Sequence, residues 1–158
     1  NKKISVFKRS KHSSSANAQT EIVIREFLKS NECDYLILIQ ATNVFLKTIH
    51  LDKALKKMIE NPKFDSLLSV VNTKFFIWKK NNHLCKSLNY KLNKRPRSQD
   101  IKDKQLIENG SFYIFKRKTF LKSLNRLHGK ITYFKMPKES LFEIDDQNDL
   151  DLVKKILN

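Results

Sequence analysis

Asp34-Tyr35-Leu36-Ile37-Leu38-Ile39-Gln40 sets an unbroken apolar run between two polar residues. A short run of this kind suits a strand covered on both faces, as in a parallel sheet, because a strand with one wet face would alternate. Upstream, Ile22, Val23, Phe27 and Leu28 recur at helical spacing and predict an amphipathic helix over 18–28. Downstream, Ile49, Leu51, Ala54, Leu55, Met58 and Ile59 mark a second helix that stops before the Asn61-Pro62 breaker. Further strands are expected at residues 4–8, 66–71, 111–115 and 131–134, with helices near 119–124 and 148–157. A polar loop from Ser10 to Asn17 precedes the first helix. Strands alternating with helices predict a single α/β domain over 1–158, built on a mainly parallel sheet. Residues 72–106 break the pattern: polar and lysine-rich, with Phe75, Phe76, Trp78 and Tyr90 scattered through them, they read as an excursion.

Ligands of open α/β sheets bind beyond the carboxyl ends of the strands, which makes the residues there the candidates for a site. Gln40-Ala41-Thr42-Asn43 follows the central apolar run with short hydrogen-bonding groups. Its alternative reading is a cap for the next helix, through Thr42 or Asn43. Glu108-Asn109-Gly110 precedes the 111–115 strand, and there glycine permits close backbone approach while asparagine offers both a donor and an acceptor. The plainer alternative is a turn. Near the C-terminus, Glu143, Asp145, Asp146, Asp149 and Asp151 crowd together in an otherwise lysine-rich chain. If Glu143-Ile144-Asp145 is strand-like, both carboxylates project to one side and offer hard oxygen ligands to Mg²⁺. Asp145 or Asp146 is equally suited to capping the final helix, and a cap at Asp146 leaves the other two free.

The net charge of +16 invites a nucleic-acid partner. Against it, the cations are mostly lysine and spread along the chain, whereas base readout and bidentate phosphate contacts favour arginine. Neither a basic tail nor zinc-finger spacing is present. Cys33 and Cys85 stand alone, which gives no disulfide framework and suits reduced thiols in the cytoplasm. No apolar run reaches the length of a membrane span.

Taken in order, Leu38-Ile39-Gln40-Ala41-Thr42-Asn43, Glu108-Asn109-Gly110-Ser111-Phe112-Tyr113-Ile114-Phe115 and Glu143-Ile144-Asp145 resemble the acylneuraminate cytidylyltransferases, the CMP-sialic acid synthetases. That family's versions read Leu-Gln-Pro-Thr-Ser-Pro, Glu-Asn-Gly-Ala-Ile-Tyr-Ile-Phe and Asp-Ile-Asp. Phe7-Lys8-Arg9, Ala18-Gln19-Thr20 and Arg97-Ser98-Gln99-Asp100 are similar to further segments, so the resemblance covers essentially the whole chain. It implies a Rossmann-like nucleotidyltransferase three-layer sandwich, with 72–106 serving a homodimer. It also implies transfer of CMP from CTP to a nonulosonic, sialic-type acid with release of pyrophosphate. By the same resemblance Glu143 and Asp145 are catalytic and hold Mg²⁺, and Arg9, Ala18 and Thr20 lie on the nucleotide side. Gln40, Thr42, Arg97, Gln99, Asn109 and Gly110 lie on the substrate side, with Arg97 suited to a carboxylate.

Departures from the pattern set a competing expectation. The family's glycine-rich phosphate loop has no counterpart here, so the chain reads as N-terminally incomplete. The segment after Gln40 lacks the family's arginine, Glu143 stands for an aspartate, and Ser98 stands for an arginine. The alternative reading is a catalytically inactive binding or assembly module that kept the fold.

Overall fold

Period-two alternation divides the strands of the computed structural model, which describes residues 4–101 and 105–157, between two helical layers. Strand β1 (Tyr35–Ile39) follows helix α1 (Thr20–Leu28), and helix α2 (Thr48–Glu60) leads into β2 (Ser66–Thr73). A hairpin, β3 (Trp78–Asn81) and β4 (Leu84–Ser87), precedes the long strand β5 (Gln105–Lys116). Helix α3 (Arg117–Ser123), strand β6 (Ile131–Lys135) and helix α4 (Gln147–Leu157) complete the order.

The main sheet runs β1-β5-β2-β6. β5 is antiparallel to both β1 and β2, while β2 and β6 are parallel. Three of the four strands therefore point the same way, and β5 is threaded against them. Leu67, Val71, Phe112 and Ile114 face Ala54 and Met58 of α2 on one side. Tyr113 and Phe115 face Ile24 and Leu28 of α1 and Phe120 of α3 on the other. Facing pairs agree across strands: Ile37 opposes Ile114 in the first cluster, and Leu36 opposes Phe115 in the second. This is the three-layer arrangement, and two-sided burial explains why Tyr35–Ile39 carries no polar alternation. Phe112, Phe115 and Phe120 are fully buried, each contributing about 1.5–3 kcal/mol relative to exposure.

Two expected strands are absent. Residues 4–8 form none; Val6 is 95% exposed and Ile4 77%, and neither β1 nor β6 pairs with the segment. Glu143-Ile144-Asp145 is an irregular connection that bends at Asp145, and its Ile144 N–H bonds the Thr42 carbonyl, three residues beyond β1, at 3.1 Å. One hydrogen bond makes no ladder. The excursion expected over 72–106 is narrower: residues 72–73 and 105–106 pair with each other in the main sheet, a hairpin and loop lie between them, and Lys102–Lys104 are outside the described residues. Its aromatic residues pack on one another: Tyr90 lies edge-on to Phe76 and Trp78, and the Arg95 guanidinium sits 4.3 Å over the Phe76 ring.

Candidate functional site

The carboxyl ends of β1, β2 and β6 gather at one end of the sheet, where β5 carries a wide bulge. Leu68 opposes Tyr113 but Val70 opposes Glu108, so residues 109–112 of β5 answer to Ser69 alone. The buried Ser69 hydroxyl accepts the Phe112 N–H at 3.0 Å and stands in for the missing ladder bond. Bulges of this kind re-aim side chains next to sites. Here the bulge includes Gly110 in the left-handed region, φ +66°. A Cβ at Gly110 would collide with Oε1 of Glu143, so the glycine also makes room for that carboxylate.

Behind β6, a 3₁₀ turn (Lys138–Leu141) delivers the acidic segment. Asp146 starts α4: its Oδ1 accepts the Asp149 N–H at 3.0 Å, and Asp149 Oδ2 accepts the N–H groups of Asp145 and Asp146. That reciprocal box occupies Asp146 and Asp149 with the helix start. Glu143 and Asp145 are left to a cavity of about 600 Å³, lined also by Glu108, Asn109, Gly110, Tyr113 and Asp149. Burial, and after it the neighbouring charge of Asp145, hold the Glu143 carboxyl above its ordinary range. The Tyr113 hydroxyl donates to Glu108, and burial followed by that bond pushes the phenol far up, so it remains a donor. Arg126 lies 5.0 Å over the Tyr113 ring and pairs with Glu21 of α1 at 3.1 Å, which ties the start of α1 to the cavity wall.

Gln40 and Thr42 join this assembly through the backbone. The Gln40 N–H bonds the Ser111 carbonyl at 3.0 Å, and Thr42 holds Ile144 as described. Gln40 and Thr42 are thus bonded to the neighbours of Gly110 and of the Glu143–Asp145 pair, but they do not line the cavity as Asn109, Gly110, Glu143 and Asp145 do. Neither Thr42 nor Asn43 caps α2; Lys47 holds that position. Asn109-Gly110 is not a turn but part of the bulge.

Other expected residues lie elsewhere. Thr20 is the first residue of α1, with Ala18 just before it, on the side that Glu21 and Arg126 connect to the cavity. Arg9 is exposed in the loop ahead of Ser10, whose amide and hydroxyl bond Glu26. Arg97 is spent on a two-bond pair with Asp100 (2.7 and 3.1 Å), and Gln99 is exposed in the same turn. Neither residue lines the cavity; Ser98 between them lines a neighbouring one of about 500 Å³ that shares Leu141 with the first. Asn43 and Glu108 were named in the sequence with the segments 40–43 and 108–110, but the bonds of Asn43 to Ser140 and Asn109 and of Tyr113 to Glu108 were not foreseen, and nothing local marks Ser140.

Among the described residues, no group of three or more His, Cys, Asp and Glu side chains is arranged to hold a metal. The Glu143–Asp145 pair fits an ion that takes one or two protein carboxylates and completes its shell with phosphate and water, the habit of Mg²⁺. Burial raises the Glu143 pKa first and the Asp145 charge adds to it, and that added repulsion is what a cation would relieve.

A family profile described as "Cytidylyltransferase" matches residues 1–158. The chain is similar to N-acylneuraminate cytidylyltransferase B of Danio rerio, 36% identical over 151 residues, covering 92% of this chain and 34% of that protein. It is similar also to N-acylneuraminate cytidylyltransferase of Oncorhynchus mykiss, 39% identical over 145 residues, covering 89% and 33%. The chain therefore spans about a third of the length of these relatives. In three dimensions it resembles 4-diphosphocytidyl-2C-methyl-D-erythritol synthase from Anaerococcus prevotii DSM 20548, with a TM-score of 0.64 over 89% of this chain and 67% of that one. At 11% identity the likeness shows a shared nucleotidyltransferase fold.

Proposed function

This chain belongs to the cytidylyltransferase family, and from that premise we propose that it transfers CMP from CTP to a nonulosonic, sialic-type acid. The observation that carries the reading is the meeting of two distant segments, Asn109–Gly110 and Glu143–Asp145, on one cavity, with Gln40 and Thr42 bonded through the backbone to their neighbours Ser111 and Ile144. The anomeric hydroxyl of the sugar acid forms a bond to the α-phosphorus of CTP, the bond to the β-phosphate breaks, and pyrophosphate leaves. Asn109 meets a sugar hydroxyl or amide group through its side-chain oxygen, since its NH₂ is taken by Ser140, and Gln40 supports that wall through its backbone bond to Ser111. Arg9, Ala18 and Thr20 serve the nucleotide.

A wall carrying Glu108, Glu143, Asp145 and Asp149 repels a triphosphate, so the reading includes Mg²⁺ held by Glu143 and Asp145. When bound, the ion supplies charge screening of the phosphates and alignment of the reacting groups. The chain's own residues set the pocket and orient the sugar.

The test is CMP-sugar formation by the full-length protein from CTP, Mg²⁺ and a panel of nonulosonic acids, beside calorimetric titration of CTP and CMP-sugar. Turnover with at least one acid is expected. Binding without turnover would replace this reading with that of a non-catalytic module.

Residues 72–106 serve a homodimer on this reading. Phe75, Leu84, Leu88 and Leu92 are 59–75% exposed on a segment that packs mostly on itself. Solvent-facing apolar side chains in such number favour burial against a partner. Leu84→Asp and Leu92→Asp together are expected to convert a dimer to a monomer in analytical ultracentrifugation, and a monomeric wild type removes the idea. Among the described residues no helix is long and apolar enough to cross a membrane, and Cys33 and Cys85 are free and exposed. Free thiols suit the cytoplasm, where cell fractionation would place the protein. The spread of lysines argues for a solvated surface over a nucleic-acid interface, and salt-independent failure to shift DNA or RNA is the expected result.

A further inference from the structure

We propose that Asn43 is a positioning residue, which with Ser140 fixes the carboxamide of Asn109 so that its oxygen is presented to a ligand donor. Asn43 is only 4% exposed and does not line the cavity. Its Nδ2 donates to the Ser140 carbonyl at 2.8 Å and, more weakly, to the Asn109 carbonyl at 3.4 Å. Asn109, 5% exposed and on the cavity wall, donates its own Nδ2 to the same Ser140 carbonyl at 3.1 Å and to the Ser140 hydroxyl at 2.8 Å. The Ser140 hydroxyl donates onward to the Pro137 carbonyl at 2.6 Å, so its lone pairs remain for Asn109.

Acceptors thus fix which way both carboxamides point, because only an NH₂ group satisfies the Ser140 carbonyl. One consequence is an oxygen with no partner. Asn109 Oδ1 is buried and accepts no hydrogen bond, and the same holds for Asn43 Oδ1. A buried acceptor left open is costly, and such groups persist where a ligand or water supplies the missing donor. Asn109 lines the cavity while its Oδ1 is shielded from solvent in the ligand-free protein, so a hydroxyl or amide N–H of the bound molecule reaches that oxygen only as the wall opens on binding. The same cluster pins the other wall: the residue before Asn43, Thr42, holds Ile144 between Glu143 and Asp145. Asn43 therefore links the β1 end, the β5 bulge and the turn after β6, and acts through Asn109 without touching the ligand.

Two arms test this, and only the second rests on the nucleotide-sugar reading. In the first, the side-chain NH₂ resonances of Asn109 are followed in ¹⁵N-labelled, ligand-free protein, assigned by their loss in Asn109→Ala. Asn43→Ala and the gentler Ser140→Ala are expected to move this pair toward the free-amide position while the β-sheet resonances stay put. Unmoved Asn109 resonances in a folded variant overturn the proposal. If Asn43→Ala fails to fold, Ser140→Ala decides alone. In the second arm, calorimetry measures CMP-N-acetylneuraminic acid binding with Mg²⁺ present. Ser140→Ala is expected to bind at least tenfold more weakly while its melting temperature falls by only the ~2–6 °C that one lost buried hydrogen bond costs, and an unchanged affinity overturns ligand presentation. No binding by the wild type would sink the proposed function instead, with the resonance arm still deciding the positioning role.

Discussion

Gly110→Ala is expected to lower the melting temperature by about 2–8 °C and to weaken nucleotide-sugar binding out of proportion to that loss. The stability part has a backbone cause. Gly110 sits at φ +66°, where an L side chain costs about 1–2 kcal/mol. For a domain of this size each kcal/mol moves the midpoint by about 2–4 °C. The functional part has a side-chain cause. The new methyl group would occupy the position now held by Glu143 Oε1. A glutamate tip can swing aside, so the clash is relieved by moving the carboxylate out of its place beside Asp145.

The two causes separate in a double-mutant cycle with Glu143→Ala. Removing the glutamate removes the collision but not the strained φ, so Gly110→Ala should cost less in the Glu143→Ala background than in the wild type. Thermal melts of the four proteins read the coupling directly. Additive effects would mean that Gly110 matters for the bulge alone and does not seat Glu143.

What the sequence reveals of this molecule follows the range of the forces involved. Tyr35–Ile39 was legible because burial on two faces erases polar alternation, a signal carried by the strand itself. The end of α2 at Glu60, one residue before Asn61-Pro62, was legible for a local reason too. The strand expected at residues 4–8 shows the limit: an apolar–polar alternation needs a neighbouring edge to pair with, and the segment has none here. The bulge was hidden because it depends on Ser69 bonding Phe112 across 43 positions. Hidden likewise was the buried polar cluster, whose bonds join Asn43, Asn109 and Ser140 over separations of 31 to 97 residues. Glu143 and Asp145 were legible by composition, as an acidic island in a basic chain, although a strand was the wrong vehicle for them. Arg97 does not line the cavity, and a near residue holds it: Asp100, three positions on, pairs with its guanidinium.

Asp145→Asn should reduce CMP-sugar formation by about a hundredfold or more while shifting the melting temperature hardly at all. The asymmetry comes from what the side chain does in the fold. Among the described residues its backbone N–H bonds Asp149, but its carboxylate enters no hydrogen bond or ion pair and is exposed on the cavity wall. An isosteric carboxamide therefore costs the fold little. Its effect on the proposed reaction is larger, because a carboxylate that neutralises a cation beside the phosphates is worth several kcal/mol, and about 1.4 kcal/mol is tenfold in rate. The variant also removes the neighbouring charge that helps to raise the Glu143 carboxyl, so Glu143 should ionise more easily in it. Divalent-ion binding gives a readout independent of turnover: Mn²⁺ titration followed by electron paramagnetic resonance should show weaker binding in Asp145→Asn than in the wild type. Asp146→Asn serves as the control, since Asp146 Oδ1 is committed to the Asp149 N–H at the start of α4 and asparagine caps as well as aspartate. If both variants lost metal and activity equally, the loss would reflect the acidic island's overall charge, and the specific roles of Glu143 and Asp145 would have to be abandoned.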